Sequence, residues 1–323
     1  MGAEISQEKI DGFSVIYYNT ALQNPCLLPD VGIDQSMLKY SGTNSTAELQ
    51  SFSKELINSV PGFTEKVGSL VAPLTLVPNA VGLGALVISM ILEIIVKSTG
   101  KASEDSYSLL RRVFAEEKGS SVRDTMTEYV RRHRTFMKNE QRLRLELNRL
   151  ETQLSGHLTV LRNSLLFDGH MTSRGFKIWV NGAFFHLQML IHEARLNHQA
   201  GQPTATQVDS INTYVDVYLQ DLDQLLEKYK TYLTTVNKIL SNTVCWMEAC
   251  STENCRIENS ESNCQIHHKM QDDDLCIGEA LTKAYVNQIV SKYPPITGLK
   301  SQFRNVKNSV NVLINQHDTF SLW

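Results

Sequence analysis

Seven leucines, Leu143, Leu147, Leu150, Leu154, Leu158, Leu161 and Leu165, recur at spacings of three and four. That period belongs to one face of an α-helix, where 3.6 residues complete a turn and side chains three or four apart stack on the same side. The stripe predicts one helix from about Val122 to Phe167, roughly 70 Å long, closed by Asp168-Gly169. Such a stripe must be covered, by the chain's own next helix or by a partner. A second helical pattern follows in Phe176, Trp179, Val180, Ala183, Leu187, Leu190, Ile191 and Ala194, up to Gly201 and Pro203, and predicts an arm packed back on the first. Thr206 and Asp209 form a capping-box-like Thr-x-x-Asp, and Val208, Ile211, Val215, Tyr218, Leu222, Leu225, Tyr229, Leu233, Val236 and Leu240 mark a third long helix. Leu281 to Val290 reads as helix, Pro294-Pro295 breaks it, and Leu299, Phe303, Val306, Val310 and Leu313 mark a terminal one. Strand signals are nearly absent. The predicted class is all-α: an elongated bundle of long amphipathic helices with an apolar hairpin or helix and a Cys-rich insertion.

A second feature departs from this amphipathic pattern. No charged residue occurs in the 26 positions from Val67 to Leu92, which exceeds the roughly 20 residues needed to span a bilayer. Pro73, Pro78, Asn79, Gly82 and Gly84 interrupt the run and argue against a single straight spanning helix. Two forms fit: a hairpin turning near Pro78 and Asn79, or a loop leading into one apolar helix from about Val81 to Lys97. Val81, Leu83, Leu86, Val87, Met90, Ile91, Ile94 and Ile95 then form either a membrane-insertion element or the buried centre of a bundle. The predicted organisation is an N-terminal arm at 1–50, the apolar segment at 51–100, a long-helix bundle at 101–244, the Cys-rich insertion at 245–276 and C-terminal helices at 277–323.

The formal net charge is −3 among 323 residues, which gives nucleic acid no field to follow. Charge is uneven, however. Between Arg123 and Arg149 eight basic residues stand against four acids. Arg131, Arg132, Arg134 and Lys138 can face anionic lipid, or form a solvated helix face with pairs such as Glu128 with Arg132. No secretory signal is expected, because Met1 to Lys9 is polar and the run at Phe13, Val15, Ile16, Tyr17 and Tyr18 is too short. Met1-Gly2-Ala3-Glu4-Ile5-Ser6 fits the pattern for myristate on Gly2, and a single acyl chain would need a second membrane-binding element.

Five of the six cysteines, Cys245, Cys250, Cys255, Cys264 and Cys276, lie together, while Cys26 stands apart. Their spacing lacks the paired C-x2-C knuckles of zinc sites, although His267 and His268 are close. The surrounding residues are polar and turn-prone, which favours disulfides over a metal. Disulfides imply an oxidising compartment, whereas acylation at Gly2 implies the cytoplasmic face, and the Asn44-Ser45-Thr46 glycosylation sequon leaves both open.

No P-loop, dinucleotide fingerprint, Gly-x-Ser-x-Gly elbow or kinase signature is present. His192-Glu193 opens like a metalloprotease helix, but Leu196 stands where the second histidine belongs. His186 and His192 with Glu193 could in principle do acid-base chemistry, yet histidines on an amphipathic helix are more often surface or satisfied groups. Asp272-Asp273-Asp274 reads as charge at a helix N-terminus. The reading is a non-enzyme with no metal, no cofactor, no small-molecule substrate and no nucleic acid.

The long helices beside the proline- and glycine-punctuated segment Val67 to Leu92 resemble α-helical pore-forming toxins of the haemolysin E type, over about Phe52 to Ser241. The early apolar stretch followed by long helices also resembles fish rapunzel and cephalotoxin-like proteins. The first resemblance implies a sheltered apolar segment that is exposed, inserts and oligomerises at a bilayer. The function expected from the sequence and this resemblance is thus a membrane-associating homo-oligomer that forms pores once the apolar segment is exposed, at the cytoplasmic face or released without a conventional signal peptide. The competing reading is a soluble coiled-coil scaffold or adaptor whose apolar helix is core.

Overall fold

The computed structural model describes residues 6–41, 47–48, 50–51, 54, 76–78, 121–136, 139–246, 249–269, 278–316 and 319–321. Its main elements are α1 (Gln7–Gln23), a 3-10 turn (Pro25–Leu27), α2 (Gln35–Ser41), β1 (Leu76–Pro78), α3 (Ser121–Phe136), α4 (Glu140–Leu166), α5 (Ser173–Gln199) and α6 (Ala205–Val236). There follow β2 (Asn237–Trp246), β3 (Ala249–Asn259), β4 (Cys264–Lys269), α7 (Glu279–Lys292), α8 (Pro294–Thr297), α9 (Leu299–Ile314) and β5 (Thr319–Ser321). The described chain is mostly helical and carries a three-stranded antiparallel sheet in the order β2-β3-β4. It divides into two compact units, one of residues 1–31, 165–176 and 223–299, the other of 32–164, 177–222 and 300–323.

In the first unit, α1 lies against α7, where Gln288 Nε2 donates to Ser14 Oγ at 3.0 Å. α7 in turn meets β2, whose Ile239 amide donates to Thr282 Oγ1. The sheet replaces two expectations. The predicted third helix was to run to Leu240, but it stops at Val236 and the chain turns into strand at Asn237. Asn237 marks the change: its side-chain amide donates to the Leu233 carbonyl at 2.9 Å, and its carbonyl oxygen accepts from Asn259 on β3. The second expectation is a polar, turn-prone insertion with almost no strand signal. β3 instead alternates, with Cys255, Ile257 and Asn259 buried and Arg256 and Glu258 half-buried, which is the period of a strand covered on one face. Beyond Asn259, Asn263 takes the left-handed conformation at φ 53° in the turn to β4, a region asparagine tolerates better than most residues.

The second unit is built on the leucine stripe. Leu143, Leu147, Leu150, Leu154 and Leu158 are at most 5% exposed, so the stripe is an internal surface of this chain. Trp179, Val180, Ala183, Phe185, Leu187 and Ile191 of α5 are buried, as are Ile211, Val215, Tyr218 and Leu222 of α6 and Phe303, Val306 and Val310 of α9. Gly182 allows three helices to meet closely: a Cβ there would lie 2.8 Å from both Leu158 of α4 and Val122 of α3. Asn181, fully buried beside it, accepts from the Asp34 amide at 2.8 Å and donates to the Gly32 carbonyl, fixing the approach to α2. β1 and β5 pair antiparallel.

The single helix predicted from Val122 to Phe167 is two helices. α3 ends at Phe136, and Asn139 begins α4 by accepting from the Arg142 amide at 3.1 Å. Asparagine at this position satisfies an N-terminal amide that continuous helix would not leave free, which is the physical reason for the break. The turn after α4 and the end of α5 fall where the sequence places them, at Gly169 (φ 77°) and Gly201 (φ 73°). Thr206 is in the first turn of α6 and not at its cap, since the helix opens at Ala205.

Candidate functional site

Chemistry-bearing side chains converge inside the second unit, between α3, α4, α5 and α6. Helical spacing puts them there: Tyr129 and His133 are one turn apart on α3, and His186, His192 and Arg195 follow the buried face of α5. Glu151 of α4 reaches His186 Nε2 at 2.6 Å. On the other side of the same ring, the Tyr218 hydroxyl of α6 lies 3.0 Å from His186 Nδ1. His186 is fully buried, and Glu151 and Tyr218 nearly so. The ring of Tyr214 stands edge-on to the imidazole at 4.9 Å, and Trp179 and Phe303 close around Tyr218. Burial, followed by the charges of Tyr214, Glu151 and Asp221, pushes the Tyr218 hydroxyl far above the usual tyrosine range, so it stays protonated. A carboxylate only accepts hydrogen bonds, so Glu151 places the proton on Nε2, and in the neutral imidazole Nδ1 accepts from Tyr218.

The order carboxylate, imidazole, phenol has the form of a proton relay, but both ring nitrogens end on protein groups. General acid-base catalysis needs a substrate proton within hydrogen-bond reach of the base. Here each nitrogen is occupied from within the bundle. The arrangement ties three helices together.

A second polar group lies farther along α3 and α5. The rings of His133 and His192 are 5.8 Å apart, and Tyr129 packs against His133 and edge-on to Phe185 at 5.5 Å. Both histidines are buried. Burial lowers His133 to about 4 and, with the charges of His133 and Arg195, carries His192 well below the usual histidine range. Among the described residues, neither nitrogen of His192, nor Nδ1 of His133, nor the Tyr129 hydroxyl has a hydrogen-bond partner. Arg195, fully buried, donates from Nε to the Leu313 carbonyl at 2.5 Å and from Nη2 to Gln316 at 3.0 Å. That carbonyl belongs to the last turn of α9, where a cation complements the helix dipole. Burial lowers Arg195 to about 10 and leaves it cationic at neutral pH.

The sequence-level acid-base candidates are therefore separated. His186 is bound to Glu151 and Tyr218, His192 faces His133, and Glu193 accepts from Asn148 at 3.3 Å, with burial pushing its carboxyl up. In the sequence Tyr218 stands out only as a member of the third helix's apolar face, and Glu151, His133 and Arg195 do not stand out, because a polar residue on an amphipathic helix reads as surface until its partner helix is known. Surface concavities among the described residues include one of 420 Å³ along α6 beside Thr206, Asp209, Thr213 and Tyr214, and one of 610 Å³ beside Asn311 and Gln316. No group of three metal-ligating side chains occurs among the described residues.

The cysteines form a second candidate region, in the first unit. Cys26, expected to stand apart, is joined to Cys264 at the start of β4. Ser262 Oγ donates to the Cys26 carbonyl at 2.7 Å, and His268 meets the ring edge of Tyr17 and the Thr20 hydroxyl. Cys255 is also disulfide-bonded. Cys245 and Cys250 are opposed in the β2-β3 register, and Cys276 lies outside the described residues. At the β3-β4 turn, Glu261 accepts from the Ser173 amide at 2.8 Å, a carboxylate at the N-terminus of α5, while Ser173 Oγ meets Tyr229 at 2.7 Å.

The membrane-associating, pore-forming reading is corrected by these observations. Among the described residues no helix is long and apolar enough to cross a membrane. The apolar faces of α4, α5, α6 and α9 are spent on protein contacts. The lipid partner falls with it, and so does placement at a membrane, on the cytoplasmic face or after release. Of the four basic residues expected to meet lipid, Arg131 and Arg132 are held by Glu128 at 3.3 and 2.6 Å, Arg134 is exposed, and Lys138 lies outside the described residues. The acylation candidate Gly2, the glycosylation candidate Asn44 and the insertion candidates Val81, Leu83, Leu86, Val87, Met90, Ile91, Ile94 and Ile95 also lie outside them. No family model, no curated protein and no solved structure matches the chain.

Proposed function

We propose that this chain works without catalysis, as a helical scaffold or adaptor. The observation that carries the reading is the closure of its leucine stripe: Leu143, Leu147, Leu150, Leu154 and Leu158 are covered within the chain, and the ionisable groups beside them serve as cross-links between helices. What is left outward on α4 is a different ridge. Leu145 and Val160 are each 69% exposed, and fifteen residues of helix return them to within about 60° of one another. Arg142, Arg149 and Gly156 share that side, and a side chain at Gly156 would meet open space. Two apolar positions framed by Arg142 and by Arg149, the latter paired with Glu146 at 3.2 Å, suit an acidic amphipathic helix of a protein partner, which would seat its apolar seam along α4 and a carboxylate against Arg142.

The test is crosslinking in the source cells, comparing wild type with Leu145→Lys/Val160→Lys. The proposal expects a reproducible protein partner, crosslinked through an acidic helix, whose recovery falls at least tenfold in the folded variant. An unchanged set of crosslinks overturns this use of α4.

A further inference from the structure

We infer that His133 and His192 form an acid-sensitive lock between α3 and α5, holding the two helices together while both rings are neutral and separating them when the rings take up protons. The geometry permits little else on acidification. Both rings are buried, their centroids are 5.8 Å apart, and His192 has no hydrogen-bond acceptor for either nitrogen among the described residues. Two imidazolium ions at that separation would repel one another in a medium that solvates neither.

The neighbouring charges do not relieve this. On α5, Arg195 adds a third cation one turn away, and its charge already opposes protonation of His192. Glu193, next in sequence to His192, is turned about 100° around the helix and accepts from Asn148 of α4. On α4, Glu151 is taken by His186. On α3, Tyr129 is neutral, pushed well above the usual tyrosine range by burial and by Glu193, and Glu128 is paired with Arg131 and Arg132. His186, in the same unit, differs in having the Glu151 carboxylate 2.6 Å from its Nε2.

The sign follows from linkage. A histidine whose folded-state affinity for protons is depressed stabilises the fold above its unfolded value of 6.5, and that stability is lost as pH falls from there towards the folded value. For His133 alone, lowered to about 4, the folding equilibrium shifts about sixtyfold between pH 7 and pH 4.5.

The experiment is amide hydrogen exchange at pH 7 and pH 4.5, corrected for intrinsic rates, on the full chain and on His133→Phe/His192→Phe. In the wild type, protection of α3 and of α5 around His192 should fall about sixtyfold or more, and the variant should lose less than a tenth of that. Protection that survives acid in the wild type, or is lost equally in both proteins, overturns the lock. If the double replacement does not fold, the imidazole resonances of the wild type decide. Two rings that stay neutral through pH 5 and titrate only as α3 and α5 lose their dispersion support the lock. Titration of every histidine near 6.5 in an intact fold overturns it.

Discussion

Replacing Tyr218 with phenylalanine would isolate the contribution of the buried network. The substitution keeps the ring and its contacts with Trp179 and Phe303, and removes only the hydroxyl 3.0 Å from His186 Nδ1. The loss is twofold: one hydrogen bond, and a ring nitrogen left in a fully buried position without a partner. A buried polar atom so orphaned costs about 1–3 kcal/mol, because folding strips it of water and returns nothing. Tyr218→Phe should therefore lower unfolding free energy by about 1–3 kcal/mol in urea titration with an unchanged denaturant slope. Glu151→Gln tests the other end of the same ring. Because the three side chains share one imidazole, the double variant should lose less than the sum of the singles, by about 0.5 kcal/mol or more. A Tyr218→Phe loss below about 0.3 kcal/mol, or strict additivity with Glu151→Gln, would refute the network as a stabilising unit.

Gly182→Val should destabilise the second unit by about 2–4 kcal/mol in thermal or urea unfolding, since its Cβ alone would stand 2.8 Å from Leu158 and from the stiff Val122. Gly182→Ala should cost less, because about 1 kcal/mol of gained helix propensity offsets part of the crowding. Cys26→Ser/Cys264→Ser opens a link across 238 residues of chain; the chain-entropy relation sets an upper bound of about 5.5 kcal/mol, and a measured loss of about 2–5 kcal/mol is expected. Denaturing thiol titration of the oxidised wild type should find neither Cys26 nor Cys264 reactive.

The helices were legible where a period and a terminator coincide. The leucine stripe and Asp168-Gly169 located α4, and the run from Phe176 to Ala194 with Gly201 located α5, because amphipathic burial follows from spacing alone. The break at Asn139 was hidden, since the arginine-rich stretch around it continues the same polar face and only a side chain accepting from the Arg142 amide shows that a helix starts there. The sheet was hidden for another reason. β3 is as polar as a loop, and its alternation of Cys255, Ile257 and Asn259 acquires meaning only once β2 and β4 pair with it and Cys26 is joined to Cys264 beside it. The candidate site was legible in its histidines but not in their partners. His186 and His192 stood out, whereas pairing the first with Glu151 and Tyr218 and the second with His133 depends on how helices distant in sequence align.

The leucine stripe of α4 is closed within the chain, while the ridge of Leu145 and Val160 on the same helix is open. The most direct measurement is maleimide labelling of the native protein carrying Leu154→Cys or Val160→Cys, with the rate followed by mass spectrometry. Leu154 is fully buried and Val160 is 69% exposed, so the Val160 position should react roughly a hundredfold faster or more, as expected when the first must await opening of the fold. Equal rates in folded variants would contradict the closed stripe, and with it the scaffold reading built on it.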